Sequence, residues 1–151
     1  MFFKLFILCL LVTVAHFYPR YKELILNGDR VPHPCCPGRS WSRVGHTTPS
    51  STALNAFGRD FQASRRLFTK ELCLADSDGD GVSNGIELGL NTTKYDLPTL
   101  CHFIDSSHMT RTFNEMVVFL KESKLLTNPT GHPGFCDQNT GRCRPNFPCG
   151  C

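Results

Sequence analysis

Past its first fourteen residues this 151-residue chain has no long apolar run. A helix that crosses a bilayer needs about twenty consecutive apolar residues, so nothing after Val14 predicts one. Strong charge of either sign is also missing. Sixteen Lys and Arg stand against thirteen Asp and Glu, a formal +3. So mild a balance argues against a nucleic-acid partner and against a polybasic membrane patch. There is no H-E-x-x-H and no phosphate-cradling glycine loop, which removes the zincin and nucleotide-binding readings. The long acidic or repetitive runs common in matrix proteins are lacking too.

The apolar run that is present opens the chain. Met1-Phe-Phe-Lys4 is a short positively charged start, and Leu5 to Val14 is apolar but too short to span a bilayer comfortably. Thr13 and Ala15 are small residues of the kind a signal peptidase accepts. Residues 1–17 are therefore expected to be a leader, cut after Ala15 or a residue or two later, before Tyr18. The expected product is a secreted protein with no membrane span. Lys4 and Cys9 leave with the leader, so the charge falls to +2 and nine cysteines become eight. These are Cys35, Cys36, Cys73, Cys101, Cys136, Cys143, Cys149 and Cys151. An even number in an oxidising compartment predicts a disulfide framework. A zinc site at Cys149-Gly-Cys151 is the competing use, which secretion disfavours. Asn91-Thr92-Thr93 is an acceptor for an N-linked glycan.

The most informative stretch is Asp76-Ser-Asp-Gly-Asp-Gly-Val-Ser-Asn-Gly-Ile-Glu87. It fits D-x-[DN]-x-[DN]-G-x5-E at every specified position. Alternate side chains of a curled loop point inward, which brings Asp76, Asp78 and Asp80 together. Gly81 permits the sharp turn, Val82 lends a carbonyl, Asn84 can hold a water and Glu87 can close the site with two oxygens. The ion expected is a structural Ca2+. The bland alternative is a solvated acidic turn, for which Asp-Gly pairs are common material.

Around this loop the sequence predicts a small disulfide-rich α+β secreted domain. Its N-terminal part is irregular, because Pro19, Pro32, Pro34, Pro37 and Pro49 block helix and disfavour central strand. Turns are expected at Asn27-Gly28 and Pro37-Gly38, with short strands at Leu24–Leu26 and near Trp41. Residues 50–75 predict a helix, since Phe57, Phe61, Phe68 and Leu72 share one helical face and Asn55 or Asp60 suits its start. On that reading Arg65 and Arg66 lie on a charged helix face; a processing site is the less favoured alternative. Ser83–Leu88 predicts a short exit helix ended by Gly89. Leu97–Cys101 is expected to be a connector. Residues 109–126 predict a further helix, with Phe113, Met116, Val117 and Leu120 on one side, alongside Lys124; Thr112 and Glu115 have the spacing of a capping box, and Thr110 is an equal candidate for the cap. A buried strand over residues 117–120 is the alternative. The domain is placed over residues 18–136 and a cysteine-rich tail over 137–151.

Several fragments, in order, resemble the temptin family of secreted molluscan pheromone-complex proteins. They are Tyr18-Pro-Arg-Tyr21, Asn27-Gly28, Val31-Pro-His-Pro-Cys35, Trp41 with Val44-Gly-His46, Asn55 with Phe57-Gly58 and Asp60-Phe61, Leu72-Cys73, and Asp76 to Gly89. His132-Pro-Gly-Phe-Cys136 is a later echo. The resemblance implies a small secreted domain with two family disulfides, Cys35–Cys73 and Cys101–Cys136. It leaves Cys36, Cys143, Cys149 and Cys151 with three possible pairings, and Cys36 can replace Cys35 opposite Cys73. It also implies a part in water-borne attraction and mating signals, acting with an attractin-like peptide rather than as an enzyme. The extra Cys36, residues 92–126 and the tail depart from the family pattern.

Two other uses stand beside this one. A calcium-binding extracellular or shell matrix protein fits secretion, calcium and disulfides equally well. A copper oxidase would need His33, His46 and His132 to converge on a metal, or His16 as a new N-terminus to form a copper brace; no two of these histidines have close ligand spacing. Trp41 is expected to be a core anchor, a partner-facing aromatic being the alternative.

Overall fold

The computed structural model describes residues 21–36, 38–107 and 112–136. The leader, the tail and its cysteines Cys143, Cys149 and Cys151 lie outside the described residues, as do His16, Met109 and Thr110. A 3-10 turn, Tyr21–Leu24, opens the described chain. Five helices follow: α1 Ala56–Ala63, α2 Lys70–Leu74, α3 Asn84–Glu87, α4 Leu97–Ser107 and α5 Phe113–Glu122. Among the described residues isolated antiparallel bridges stand in place of strands, Pro32 to Ser40, His46 to Leu54 and Leu90 to Leu126. The α+β expectation is corrected to a small, mostly helical, disulfide-containing domain. The strand expected at Leu24–Leu26 is instead the end of the 3-10 turn and a reversal in which Asn27 takes a φ of 49°.

The expected helix over residues 50–75 is two helices. Asn55 caps α1, its Oδ1 accepting from Gly58 N at 2.8 Å. The helix then ends without glycine or proline: Arg65 and Arg66 adopt left-handed φ values of 57° and 62°, and Arg66 N donates back to Phe61 O. Thr69 caps the next helix by accepting from Leu72 N. The break carries Phe68 to full burial and sets the Arg66 guanidinium 5.2 Å from the Tyr21 ring centre. Arg65 and Arg66 therefore occupy a turn, not a helix face.

Leu97–Cys101 is not a connector but the first half of α4. Asp96 Oδ1 accepts from Thr99 N at 2.8 Å, and Pro98 sits in the first turn, where its missing N–H costs nothing. Those bonds from Thr99 hold the Asp96 carboxyl below its ordinary pKa. The expected helix, not the alternative strand, holds for residues 117–120, within an α5 that is shorter than 109–126 and carries the full Thr112–Glu115 capping box. Lys124 lies past its end, exposed, at a φ of 58°.

One buried cluster joins these parts. Leu26, Val31, Phe57, Phe68, Leu88, Ile104 and Leu120 are wholly buried in it. Trp41 is a core anchor: its backbone N donates to Val31 O and its Nε1 to Arg43 O at 2.9 Å. Cys73 of α2 is bonded to Cys101 of α4, 28 residues on. This corrects both family-derived pairs, Cys35–Cys73 and Cys101–Cys136, and excludes Cys36 as a partner of Cys73. The reason is packing: α2 lies directly on α4, with the two Cα atoms 5.7 Å apart and both residues wholly buried. Cys35, Cys36 and Cys136 are each disulfide-bonded. Closing a loop of this length stabilises the fold by about 3.5 kcal/mol in the chain-entropy account.

The tightest backbone approach in α1 is Gly58 against Gly45, where an added Cβ would overlap the Gly45 carbonyl. Gly58→Ala is therefore expected to lose about 1–3 kcal/mol despite alanine's better helix propensity. Urea unfolding should show a lower midpoint with an unchanged slope.

Candidate cation loop and the histidine–tryptophan cluster

The acidic loop runs between α2 and α3. Asp76, Asp78 and Asp80 each offer an oxygen within 4.8 Å of the others. Glycines at φ +81° (Gly79) and +92° (Gly81) make the turns that curl the chain. The loop's own amides point at the carboxylates. Asp76 accepts from Gly79 N and Gly81 N, both at 2.8 Å, and Asp80 accepts from Val82 N at 2.8 Å. Burial, then the charge of Asp80 and of Asp76, pushes the Asp78 carboxyl up to about 7. Three carboxylates this close favour a proton or a cation among them.

The rest of the motif is placed differently. Asn84 is wholly buried and its amide braces the loop: Nδ2 donates to Leu72 O at 2.8 Å and Ser77 Oγ at 2.9 Å, while Oδ1 accepts from Ser77 N. Glu87 is 2% exposed and stands outside the aspartate group. Its Oε1 lies 2.7 Å from where a Cβ would sit on Gly131, so a side chain there would have to displace the carboxylate. Gly81-Val-Ser-Asn-Gly85 has G-x-S-x-G spacing, but Ser83 stands at the start of four-residue α3 and follows a loop. The nucleophile elbow needs a strand before it.

The loop is held at both ends. On the α2 side is the Cys73–Cys101 bond, with Gly85 of α3 against Cys73 Sγ. On the α3 side, the returning segment bonds to the exit helix. Thr130 N and Gly131 N donate to Glu87 O, Thr130 Oγ1 to Ile86 O, and Thr127 N to Gly89 O. Asn27 Nδ2 donates to both Leu88 O and Thr127 O, at 2.9 and 2.8 Å. Gly89, at φ +97°, ends α3 as expected. Asn27 and the Gly131 contact were not readable as site residues, since their partners lie far along the chain.

Beside the returning segment, Trp41 meets His33, His132 and Phe135 edge-on, at centroid distances of 4.8, 5.7 and 5.2 Å. His33 Nδ1 accepts from Cys35 N and Cys36 N, and His132 Nδ1 accepts from Gly134 N, all at 3.1 Å. An acceptor Nδ1 leaves the proton of a neutral ring on Nε2. Neither ring then offers an Nε2 lone pair to a metal. His46 stands apart, with Nε2 3.3 Å from Arg43. Burial, then Arg43, lowers its pKa. Among the described residues the three histidines form no metal-ligating group.

The chain matches the family described as Temptin C-terminal over residues 15–110, more than half its length. It belongs to the temptin family. It is also 48% identical over 81 residues to "Temptin" of Aplysia californica, a match that covers 53% of this chain and 65% of that protein's length, just under two thirds. No solved structure matches. The family span takes in the acidic loop and α4 and stops before α5. No described helix is long and apolar enough to cross a membrane.

His132 is 3% exposed, and its Nε2 has no hydrogen-bond partner among the described residues. Burial, then the charge of nearby His33, lowers its pKa from 6.5 to about 3. The folded state thus binds a proton less readily than the unfolded one. The stability this contributes is whole above pH 6.5 and is lost as pH falls toward 3, at roughly 1.4 kcal/mol per pH unit. His132→Gln should remove that slope. Urea midpoints between pH 7 and pH 4 measure it as the difference between wild type and variant.

Proposed function

We propose that this chain is an exported component of a water-borne attraction signal, and that it acts by binding a secreted, attractin-like peptide rather than by turning over a substrate. The family match over residues 15–110 carries this reading. The place that suits a peptide is a groove of about 260 Å³ between the 22–30 segment and α5, bordered by Ile25, Arg30, Phe113, Val117 and Lys121. Val118 and Phe119, on the same helix, are 53% and 38% exposed. The groove is mostly polar: Ile25, Phe113 and Val117 lie among Glu23, Asp29, Arg30 and Lys121, charges of both signs that a peptide could pair. An N-glycan at Asn91 belongs to the same reading; Asn91 Nδ2 donates to Lys124 O with one N–H, and its second is the one a glycan would replace.

Calcium is the structural ion of this reading. Asp76, Asp78 and Asp80 would hold it, because hard cations take carboxylate oxygens and these three already converge. Val82 would add its carbonyl, Asn84, whose amide braces the loop, would hold a water, and Glu87, buried at the end of α3, would close the site with its carboxylate. The ion would supply charge neutralisation and nothing chemical beyond it.

Two experiments test the proposal. At millimolar calcium an extracellular loop of ordinary affinity adds about 1–2 kcal/mol. Asp78→Ala should therefore lower the melting temperature by ~3–6 °C in calcium and leave it unchanged or raised in chelator. Equal loss in both rejects the ion. For the partner, purified protein titrated with an attractin-like peptide should show binding that Lys121→Glu weakens, more so at low salt. No heat and no capture of the peptide rejects the signalling reading; full binding by the variant moves the site off the groove.

A further inference from the structure

The bridge between His46 and Leu54 closes a loop with five hydroxyl residues in six positions: Thr47, Thr48, Ser50, Ser51 and Thr52, around Pro49. Two of them hold the loop. Thr47 Oγ1 donates to Ser51 Oγ at 3.1 Å, and Ser51 Oγ accepts from Ala53 N at 2.9 Å. The backbone adds Thr47 N to Ala53 O and Ser51 N to Thr48 O. Thr47 and Ser51 are half-buried, while Thr48, Ser50 and Thr52 are exposed. None of these closing bonds uses the three exposed hydroxyls; Thr48 and Ser50 share only a 3.4 Å surface contact.

Serine and threonine are ordinary loop residues where they bond to nearby backbone, and Thr47 and Ser51 are explained that way. The other three are not. Pro49 fixes its own φ and restricts Thr48 to extended backbone, so these hydroxyls ride on a projecting turn. No acidic residue lies between Arg43 and Arg59; Arg59 bonds to Leu54 O at the loop's base and Arg43 reaches Pro49 O on its turn. A hydroxyl-rich, proline-containing, exposed segment without acids is the composition that carries O-linked sugar.

We infer that Thr48, Ser50 and Thr52 are acceptors for O-linked N-acetylhexosamine. The inference rests on the reading that the chain is exported, since the nucleotide-activated sugar and its transferase are met along that route. The acceptor oxygen attacks the anomeric carbon of a nucleoside-diphosphate N-acetylhexosamine. A carbon–oxygen bond forms there as the bond to the diphosphate breaks. The nucleoside diphosphate leaves, and the hydroxyl proton passes to the transferase's base or to the leaving group. Nothing is oxidised or reduced. Thr47 and Ser51 stay bare because their oxygens are used within the loop.

The test uses the full chain behind a heterologous leader in cultured animal cells, with protein recovered from the medium, so that export is met beforehand. Cleavage at Arg43 and Arg59 releases residues 44–59, which hold all five hydroxyls and no N-glycan acceptor. Electron-transfer fragmentation should place N-acetylhexosamine increments on Thr48, Ser50 and Thr52. The triple variant Thr48→Val, Ser50→Ala, Thr52→Val should be exported with that peptide bare. A bare wild-type peptide, sugar confined to Thr47 and Ser51, or phosphate in place of sugar overturns the inference and leaves the reading of export standing.

Discussion

The fold depends on a seam of hydrogen bonds between residues 86–91 and 125–131. Exit helix α3 is four residues long, far below the length at which a helix persists by itself. Its last carbonyls would be orphans. Instead Ile86 O, Glu87 O and Gly89 O accept from Thr130, Gly131 and Thr127, and Leu88 O accepts from Asn27. Asn91 N donates to Leu125 O, and Leu90 bridges Leu126. Gly89 is obligatory: a Cβ there would lie 2.6 Å from Thr127 O, and its φ is left-handed. With no extended sheet among the described residues, this strip is what fixes the chain's two halves against each other.

The seam and the Cys73–Cys101 bond grip opposite ends of the acidic loop. A loop held at both ends cannot relieve its charge by splaying. The aspartates stay together, supported by the loop's inward amides, and the strain on Asp78 is electrostatic rather than steric. Here packing creates the electrostatics: covalent and hydrogen-bonded anchors outside the loop keep like charges within a few ångströms. The same frame lowers the ordering cost of any ligand that neutralises them.

What could be read from the sequence was local. Asn55, the Thr112–Glu115 box and Gly89 as a helix stop act within four residues of their partners, and each is found as expected. Trp41 as an anchor follows from size and apolarity alone. Most of the misses involve distance. Phe57, Phe61, Phe68 and Leu72 would share one face of a continuous helix, yet the chain breaks between Phe61 and Phe68, at the left-handed Arg65 and Arg66, and all four are buried all the same. One miss is local: Asp96 and Pro98 are helix-start signals that a connector over Leu97–Cys101 leaves unused. The bond between Cys73 and Cys101 follows from α2 packing on α4, which no spacing along the chain encodes.

Glu87 shows where a local pattern stops being sufficient. Its position in the motif calls for a carboxylate turned toward the loop, but that pattern assumes a helix free to follow the ion. In this chain α3 is bound along its carbonyl edge by the returning segment, and Gly131 has no side chain to keep Glu87 from lying against it. The segment that decides this, residues 125–131, falls beyond the span matched to the family. The aspartates and Glu87 all fall within the span matched to the family, while the segment that bonds to the carbonyl edge of α3 lies outside it. A motif that fits at every position fixes which groups are available; the contacts made by its flanking helix fix how far that helix can move to follow an ion.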